Sequence, residues 1–433
     1  MGARFSVPAD EDEKAGAIFS DEANDERVDW RKLPNDLMIE IIKRLDVTDR
    51  MMLSGVCKSW SRLAMQKNIP VHQFPLLMLP HHINCTHIRF FDACRSLMYR
   101  YNLPKSIVRR KGWCFGSSKG WLLIATKEKY NDGPEISMLN PVSGQIIELP
   151  PIDEFEASFS SVRECVTGLE LFFLSEDDCI VSAIFNNKIL AICRAGDEDW
   201  TTVSEAEDGV FIYDDFCFFD GILYVLRIFY GNDEEEDDDM VLPVSLELSE
   251  FCGITIKPID DYLFRHRLAV EVVEANGFNV FKQTAMSVYL VQCDGELFRV
   301  DRIFDIFTQD DDDDDEDDDD DDASFDYMKT TKFVIYKIKD GRISSDECKL
   351  KNDQIIFLDG GAPSLSVKYF KEGVKGNYIY FLDDHCADPS SKILPFVTHD
   401  SGICCLDDDG RITRCFPTVD FPDHMSWFTP QII

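Results

Sequence analysis

Gly116-Ser117-Ser118-Lys119-Gly120 has the G-x-S-x-G spacing of a nucleophile elbow, in which a serine is presented at a sharp turn from a strand into a helix. The residues that follow, Trp121-Leu122-Leu123-Ile124, read as a strand instead, so the spacing predicts a Gly/Ser turn between strands and no catalytic Ser118. His81, His82, Cys85 and His87 crowd together as soft metal ligands, but zinc sites draw paired ligands from two elements and no second cluster has that spacing. They read as polar residues of a connecting segment. Cys404 and Cys405 are adjacent, hence on opposite faces of a strand. Asp407-Asp408-Asp409-Gly410 opens like a calcium loop, yet Phe416 stands where the bidentate Glu should be, which leaves a β-turn. No convergent set of His, Asp or Ser residues from several loops is visible. The sequence therefore predicts no enzyme activity, no cofactor and no metal.

The elements that must hold these segments belong to an acidic chain. Its 44 basic and 81 acidic residues give −37, which argues against nucleic acid or an anionic membrane as a partner through any whole-molecule field. Asp310 to Asp322 supplies thirteen acidic residues and Asp233 to Asp239 seven, so the remainder carries −17. Both runs read as self-repelling, structureless inserts. Fifteen cysteines without a regular framework, and no secretory h-region, read as a reduced protein of the cytoplasm and/or nucleus. For the same reason Asn84-Cys85-Thr86 is a glycosylation sequon by letter only. No apolar run approaches the ~18 residues of a membrane span. Gly2 with Ser6 fits a myristoylation pattern, but one acyl chain without a second lipid or a basic patch binds membranes only marginally. No stable membrane association is expected.

Trp30 to Gln66 is the stretch whose pattern implies a partner. Pro34 suits the first turn of a helix, and Asn35 and Asp36 place caps or favourable charge there. Leu37, Ile41 and Leu45, with Met38 and Ile42 beside them, are too many apolar positions for one narrow stripe, so two faces need burial. Asp46 and Thr48 can cap a second helix in which Met52, Val56, Trp60 and Leu63 line one face. A helical hairpin this small is not stable alone. One face must rest on its own chain, as an ordinary cap on the next domain, or on another protein.

Leu33-Pro34, Leu37, Ile41, Leu45, Asp49, Val56-Cys57-Lys58, Trp60 and Ala64 resemble the F-box position by position. The resemblance implies docking on the Skp-type adaptor of a cullin-based ubiquitin ligase. Leu33, Pro34, Leu37, Ile41 and Leu45 match the usual adaptor-facing positions. Val56, Cys57 and Trp60 match positions that help hold the hairpin together and complete the contact.

From about residue 107 the texture changes to short aromatic and β-branched runs broken every 6 to 12 residues by Gly, Asn, Asp or Pro. Strands introduced by Lys119-Gly120, Asp220-Gly221, Asp294-Gly295 and Lys375-Gly376 repeat one form, with glycine spacings of 101, 74 and 81 residues. Hairpins turn at Asn140 to Gly144, Asn186-Asn187 and Asp340-Gly341. Units of about four strands predict a β-propeller of six or seven blades, with a pair of β-sandwiches as the alternative. The segments around Lys119 to Leu122, Leu139 to Pro141, Leu149 to Pro151, Phe333 to Lys337, Gly376 to Phe381 and Trp427 to Pro430 are similar to the Kib-type, kelch-like propeller of plant F-box proteins. The acidic inserts and the region from about 200 to 290 depart from it.

The expected organisation is mainly β with a small all-α N-terminal module: a disordered acidic leader over 1–28, an F-box over 29–68, a linker with first docking strands over 69–106, and a propeller over 107–433 with disordered inserts at 231–240 and 308–327. The resemblance implies a non-catalytic substrate receptor of a Skp-cullin-F-box ubiquitin ligase, with an unknown target protein on the propeller face. The alternatives are an adaptor-bound scaffold outside a ligase, or a stand-alone propeller that binds a ligand or acts as an enzyme. Trp427-Phe428-Thr429-Pro430 is strongly apolar, so it is expected to close the ring against strands near residues 75 to 125.

Overall fold

The computed structural model describes residues 5–6, 30, 33–66, 69, 74–79, 85–93, 95–127, 134–152, 162–173, 179–206, 210–229, 249–251, 254–261, 270–275, 278–309, 326–351, 353–359, 364–368, 376–382, 400–407, 410–414 and 425–430. Its β part is a ring of six sheets, so the choice between six and seven blades falls on six and the two-sandwich alternative is excluded.

The first blade combines the two ends of the β region. From the inside outward it holds Ser426–Phe428, Leu76–Met78, His87–Asp92 and Leu97–Asn102, with Phe5–Ser6 added at the outer edge. Leu76 pairs with Phe428 and Met78 with Ser426, so the apolar chain end closes the ring as its composition predicted. The ring therefore begins at Leu76, ahead of residue 107, and residues read as a linker with docking strands make most of a blade. Pro75 and Pro104 obscured this, because they fall just before Leu76–Met78 and just after Leu97–Asn102 and not within a strand. Phe5 and Ser6 pair with Tyr101 and Arg100, a strand inside a leader expected to be structureless. Pairing through main-chain groups at an edge needs no side-chain periodicity. The rest of the leader lies outside the described residues.

Blade two is Trp113–Ser118, Trp121–Lys127, Pro134–Leu139 and Ile146–Glu148, and blade three is Val166–Phe173, Cys179–Phe185, Ile189–Arg194 and Thr201–Glu205, each in simple antiparallel order. The two-residue turns Lys119-Gly120, Asp220-Gly221, Asp294-Gly295 and Asp340-Gly341 carry positive φ at both positions, as do Asn186 and Asn187 in a turn one residue longer. This is the turn whose twist matches paired strands, which is why Gly, Asn and Asp punctuate the sequence as they do.

Blades four and six break the simple order. Phe211–Phe219 and Ile222–Phe229 are followed in space by Ile254–Asp261 and then Ser249–Phe251, so Ile222 to Ile228 pair in parallel with Thr255 to Asp261. In blade six Leu365–Lys368 is innermost, followed by Gln354–Leu358, Tyr378–Phe381, Gly402–Cys405 and Arg411–Thr413, and Ile355 to Leu358 pair in parallel with Tyr378 to Phe381. Blade five is enlarged. Phe278–Cys293, Glu296–Gln309 and Asp326–Lys339 run for 16, 14 and 14 residues, flanked by Val270–Ala275 and Arg342–Glu347. Its strands thus include 308–309 and 326–327, which were expected in the insert. The run from 310 to 322, like that from 233 to 239, lies outside the described residues. Thr308 pairs with Asp326, so the strand ends on either side of the long acidic run stand together. Deleting Asp310 to Asp322 and joining the ends by a short polar linker should leave the melting temperature equal or slightly higher, because loop entropy and like-charge repulsion both fall. Differential scanning calorimetry checks this, and a large loss of cooperativity would tie the run into the fold.

Each blade is joined to the next by a side chain on a neighbour's main chain. Ser117 Oγ donates to Trp427 O at 2.6 Å. Leu171 N donates to Ser118 Oγ at 3.2 Å and Phe218 N to Glu170 Oε2 at 3.0 Å. Leu290 N donates to Asp215 Oδ2 at 2.7 Å, Ser366 Oγ to Gln292 O at 2.6 Å, and Trp427 N to Asp359 Oδ2 at 2.8 Å. The six links close a circle around the ring.

Burial pushes the Glu170 carboxyl above its ordinary range, although Lys119 Nζ at 2.8 Å and the Phe218 amide oppose this. A carboxyl with a raised folded pKa contributes stability that is complete below its unfolded pKa and is lost as pH rises through the folded value. Glu170→Gln should therefore narrow the difference in melting temperature between pH 5 and pH 8. General self-repulsion of the acidic chain is common to both proteins, so the difference between them isolates this group. An unchanged pH profile would show that Lys119 compensates fully.

Candidate docking surface of the helical module

The helical segment is three helices, Asn35–Ile42, Val47–Ser54 and Lys58–Ala64, and not a two-helix hairpin. Asp46 caps the second as expected, accepting from Asp49 N at 2.8 Å. That helix stops at Gly55, whose amide bonds to Met52 O at 3.1 Å, and Cys57 is extended ahead of the third helix. The break turns Met52 and Val56 away from Trp60 and Leu63, so the four do not share the predicted face.

Asn35–Ile42 has the two faces its sequence demands. Met38 and Ile42 are 2% and 0% exposed and pack with Leu63, Ala64 and Ile69, against which Leu33 and Trp60 also rest. Leu37 and Ile41 are 51% and 43% exposed, and Val56 is 57% exposed. Of the other residues singled out by sequence, Pro34 is exposed, while Leu45 and Cys57 are half-buried. Trp60 thus helps hold the module together, whereas Val56 faces solvent with Leu37 and Ile41. These are large apolar side chains left in solvent on a small module. Trp30 and Met52 are exposed apolar residues of the same module. Glu40 and Lys43 pair at 2.7 Å, and this ion pair holds the Glu40 carboxyl below its usual range.

Arg50 was not visible as a structural residue, since a helical arginine reads as a solvated position. It is fully buried, donating from Nε to Ile42 O at 3.1 Å and from Nη1 to Ile69 O at 3.0 Å. A shallow polar depression between the second and third helices is lined by Ser54, Gly55, Cys57, Lys58, Ser61 and Arg62.

The residues with chemical potential are placed otherwise. Ser118 is buried at a strand end, its hydroxyl engaged by Leu171 N, and Lys119-Gly120 leads into a strand and not a helix. Cys85 and His87 sit at the outer part of blade one, while His81 and His82 lie outside the described residues. Among the described residues no three His, Cys, Asp or Glu side chains converge to hold a metal. The described cysteines are free thiols, with Cys114, Cys179, Cys193, Cys217, Cys293 and Cys404 buried in the sheets and Cys165 buried at the end of the short helix Val162–Cys165. Among the described residues no helix is long and apolar enough to cross a membrane.

Comparison with known proteins agrees with this architecture. A family model for the F-box domain matches residues 30–72, and one for the KIB1-4 beta-propeller matches residues 90–406. Among similar proteins of Arabidopsis thaliana, F-box/kelch-repeat protein At1g57790 is 30% identical over 145 residues, covering 32% of this chain and 39% of the relative. F-box/kelch-repeat protein At3g18720 is 28% identical over 188 residues, covering 40% and 45%, and F-box protein SKIP23 is 25% identical over 235 residues, covering 46% and 53%. The matches thus span about half or less of these relatives' own lengths. With the propeller match extending over most of the ring and the F-box match over the three helices, the chain belongs to the KIB1-4 beta-propeller family and carries an F-box domain.

Proposed function

We propose that this protein is the substrate-recognition subunit of a Skp-cullin-F-box ubiquitin ligase, with the F-box holding a Skp-type adaptor and the propeller holding a target protein. The observation that carries this reading is the outward exposure of Leu37 and Ile41 on one face of the first helix, and of Val56, on a module that already has its own core in Met38, Ile42, Leu63, Ala64 and Ile69. In this reading catalysis belongs to other subunits, the chain itself is non-catalytic, and it works in the cytoplasm and/or nucleus. The enlarged blade five points to one end of the ring for the target. In blades three to five the inner strands run side by side, with Glu170 beside Phe218 and Asp215 beside Leu290. On that register Phe278–Gln283 extend past the described strands of blade four, at the end opposite the turns at Asp220-Gly221 and Asp294-Gly295. The turn after Asp92, beside the F-box, lies at the turn end, because Phe91 pairs with Leu77 and Leu76 with Phe428.

Co-purification with a Skp-type adaptor and a cullin, with and without residues 30–66, tests the proposal. Recovery of both only with the intact chain supports it. Recovery of the adaptor without cullin would leave a scaffold outside a ligase, and recovery of neither would favour a stand-alone propeller.

A further inference from the structure

The Arg95 side chain of the ring reaches the helical module. Arg95 lies in the turn between His87–Asp92 and Leu97–Asn102, and its three guanidinium nitrogens face three carboxylates. Nη1 is 2.5 Å from Asp46 Oδ2, Nη2 is 3.0 Å from Asp49 Oδ2, and Nε is 4.0 Å from Asp92 Oδ2. Asp46 and Asp49 belong to the start of the second helix, Asp92 to blade one, so the planar fork spans the joint between them. The turn that launches it is fixed independently, because Arg95 N donates to Asp92 Oδ1 at 3.1 Å. Tyr99, buried in blade one, shares a side-chain hydrogen bond with Arg95. Burial raises the Asp46 pKa, and the Asp49 amide and then the Arg95 guanidinium oppose that shift.

Two further contacts act on the same joint. Arg50 holds Ile69 O, which ties the chain leaving the third helix back to the second. Phe74 then packs edge-on to Phe357 and Tyr380 of blade six, with ring centroids 4.9 and 5.5 Å apart, so the connection enters the β domain at the seam where the ring closes. The helices are thereby held at the closing blade by a salt-bridged fork on one side and an aromatic anchor on the other.

We propose that Arg95 is a positioning residue that fixes the angle between the F-box and the propeller, and so the place at which a bound target is presented to the rest of the ligase. The purpose of the clamp rests on the ligase reading, but its existence does not. A lysine would keep the charge yet could not address three carboxylates in one plane, so geometry and charge are separable.

Small-angle X-ray scattering of the full chain, free and bound to a Skp-type adaptor, tests this with Arg95→Lys, Arg95→Glu, and Arg95→Glu combined with Asp49→Arg. Asp49 is chosen over Asp46 because Asp46 caps its helix. All variants should keep the melting temperature of the ring and capture of the adaptor. Arg95→Glu should raise the radius of gyration and blur the interdomain peak of the distance distribution, Arg95→Lys should be intermediate, and the charge-swapped pair should return towards the wild type. Superimposable scattering from wild type and Arg95→Glu would overturn the proposal. If the wild-type chain captures no adaptor, the ligase reading fails, while scattering from the free chain still decides the clamp.

Discussion

Ending the chain after Thr418 should produce a protein that aggregates. The cut removes Ser426–Phe428, exposes the edge of Leu76–Met78, and takes two fully buried aromatic side chains out of the core. Trp427 stands edge-on to Phe357 at 5.0 Å and to Tyr380 at 6.2 Å, and its indole N–H donates to Leu358 O at 3.0 Å. Phe428 fills the seam between blades one and two beside Phe90. Truncating one such side chain costs about 3 to 5 kcal/mol, against a typical folding margin of ~5 to 15 kcal/mol. Trp427→Ala should therefore remain marginally folded with a strongly lowered melting temperature, whereas the truncation should not survive as a monomer. Size-exclusion chromatography with light scattering reads both. A soluble monomeric truncation melting like the intact chain would mean that the ring does not depend on its closing strand.

Leu37→Asp or Ile41→Asp should abolish capture of a Skp-type adaptor while the protein stays folded. Both side chains lie in solvent, so a carboxylate there costs the free protein little. In an apolar interface the same carboxylate would be buried without a partner, and losses of 2 kcal/mol or more are usual at such central positions, roughly a thirtyfold weakening. Met38→Asp is the contrasting control. Its site is internal, so it should disrupt the helices themselves. Pull-downs with the melting temperature followed in parallel separate the two effects, and undiminished capture by both outward variants would remove the F-box face from the proposed function.

The sequence disclosed what depends on neighbours along the chain. Asp-Gly and Asn-Asn pairs with flanking apolar runs marked the tight hairpins, because positive φ restricts which residues fit. The doubled apolar positions of Asn35–Ile42 announced a buried and an outward face. What stayed hidden depends on partners far along the chain. Nothing in Ile222–Phe229 distinguishes a strand with an antiparallel neighbour from one paired in parallel with Ile254–Asp261, since either neighbour demands the same apolar faces. The blade count was ambiguous because unequal inserts separate the repeated forms. Nothing beside Arg95 in the sequence signals its role, because its carboxylate partners on the second helix lie 46 and 49 positions upstream. The outward residues alone do not identify what covers them, and that step came from the likeness of the whole segment to a family.

The circle of links between blades has a consequence for how freely the blades can vary. Every one of the six recognises the adjoining blade through an amide or a carbonyl, groups that all residues but proline supply in full. The receiving positions, among them Leu171, Phe218, Leu290 and Gln292, are thus free to exchange side chains without severing the joint, provided the replacement fits its own surroundings. Only the contributing position is constrained, and Ser, Asp and Glu each serve there. A ring assembled in this way accepts drift in one blade without a matching change in the next. Six sheets can then share a geometry while their sequences retain only a faint common pattern.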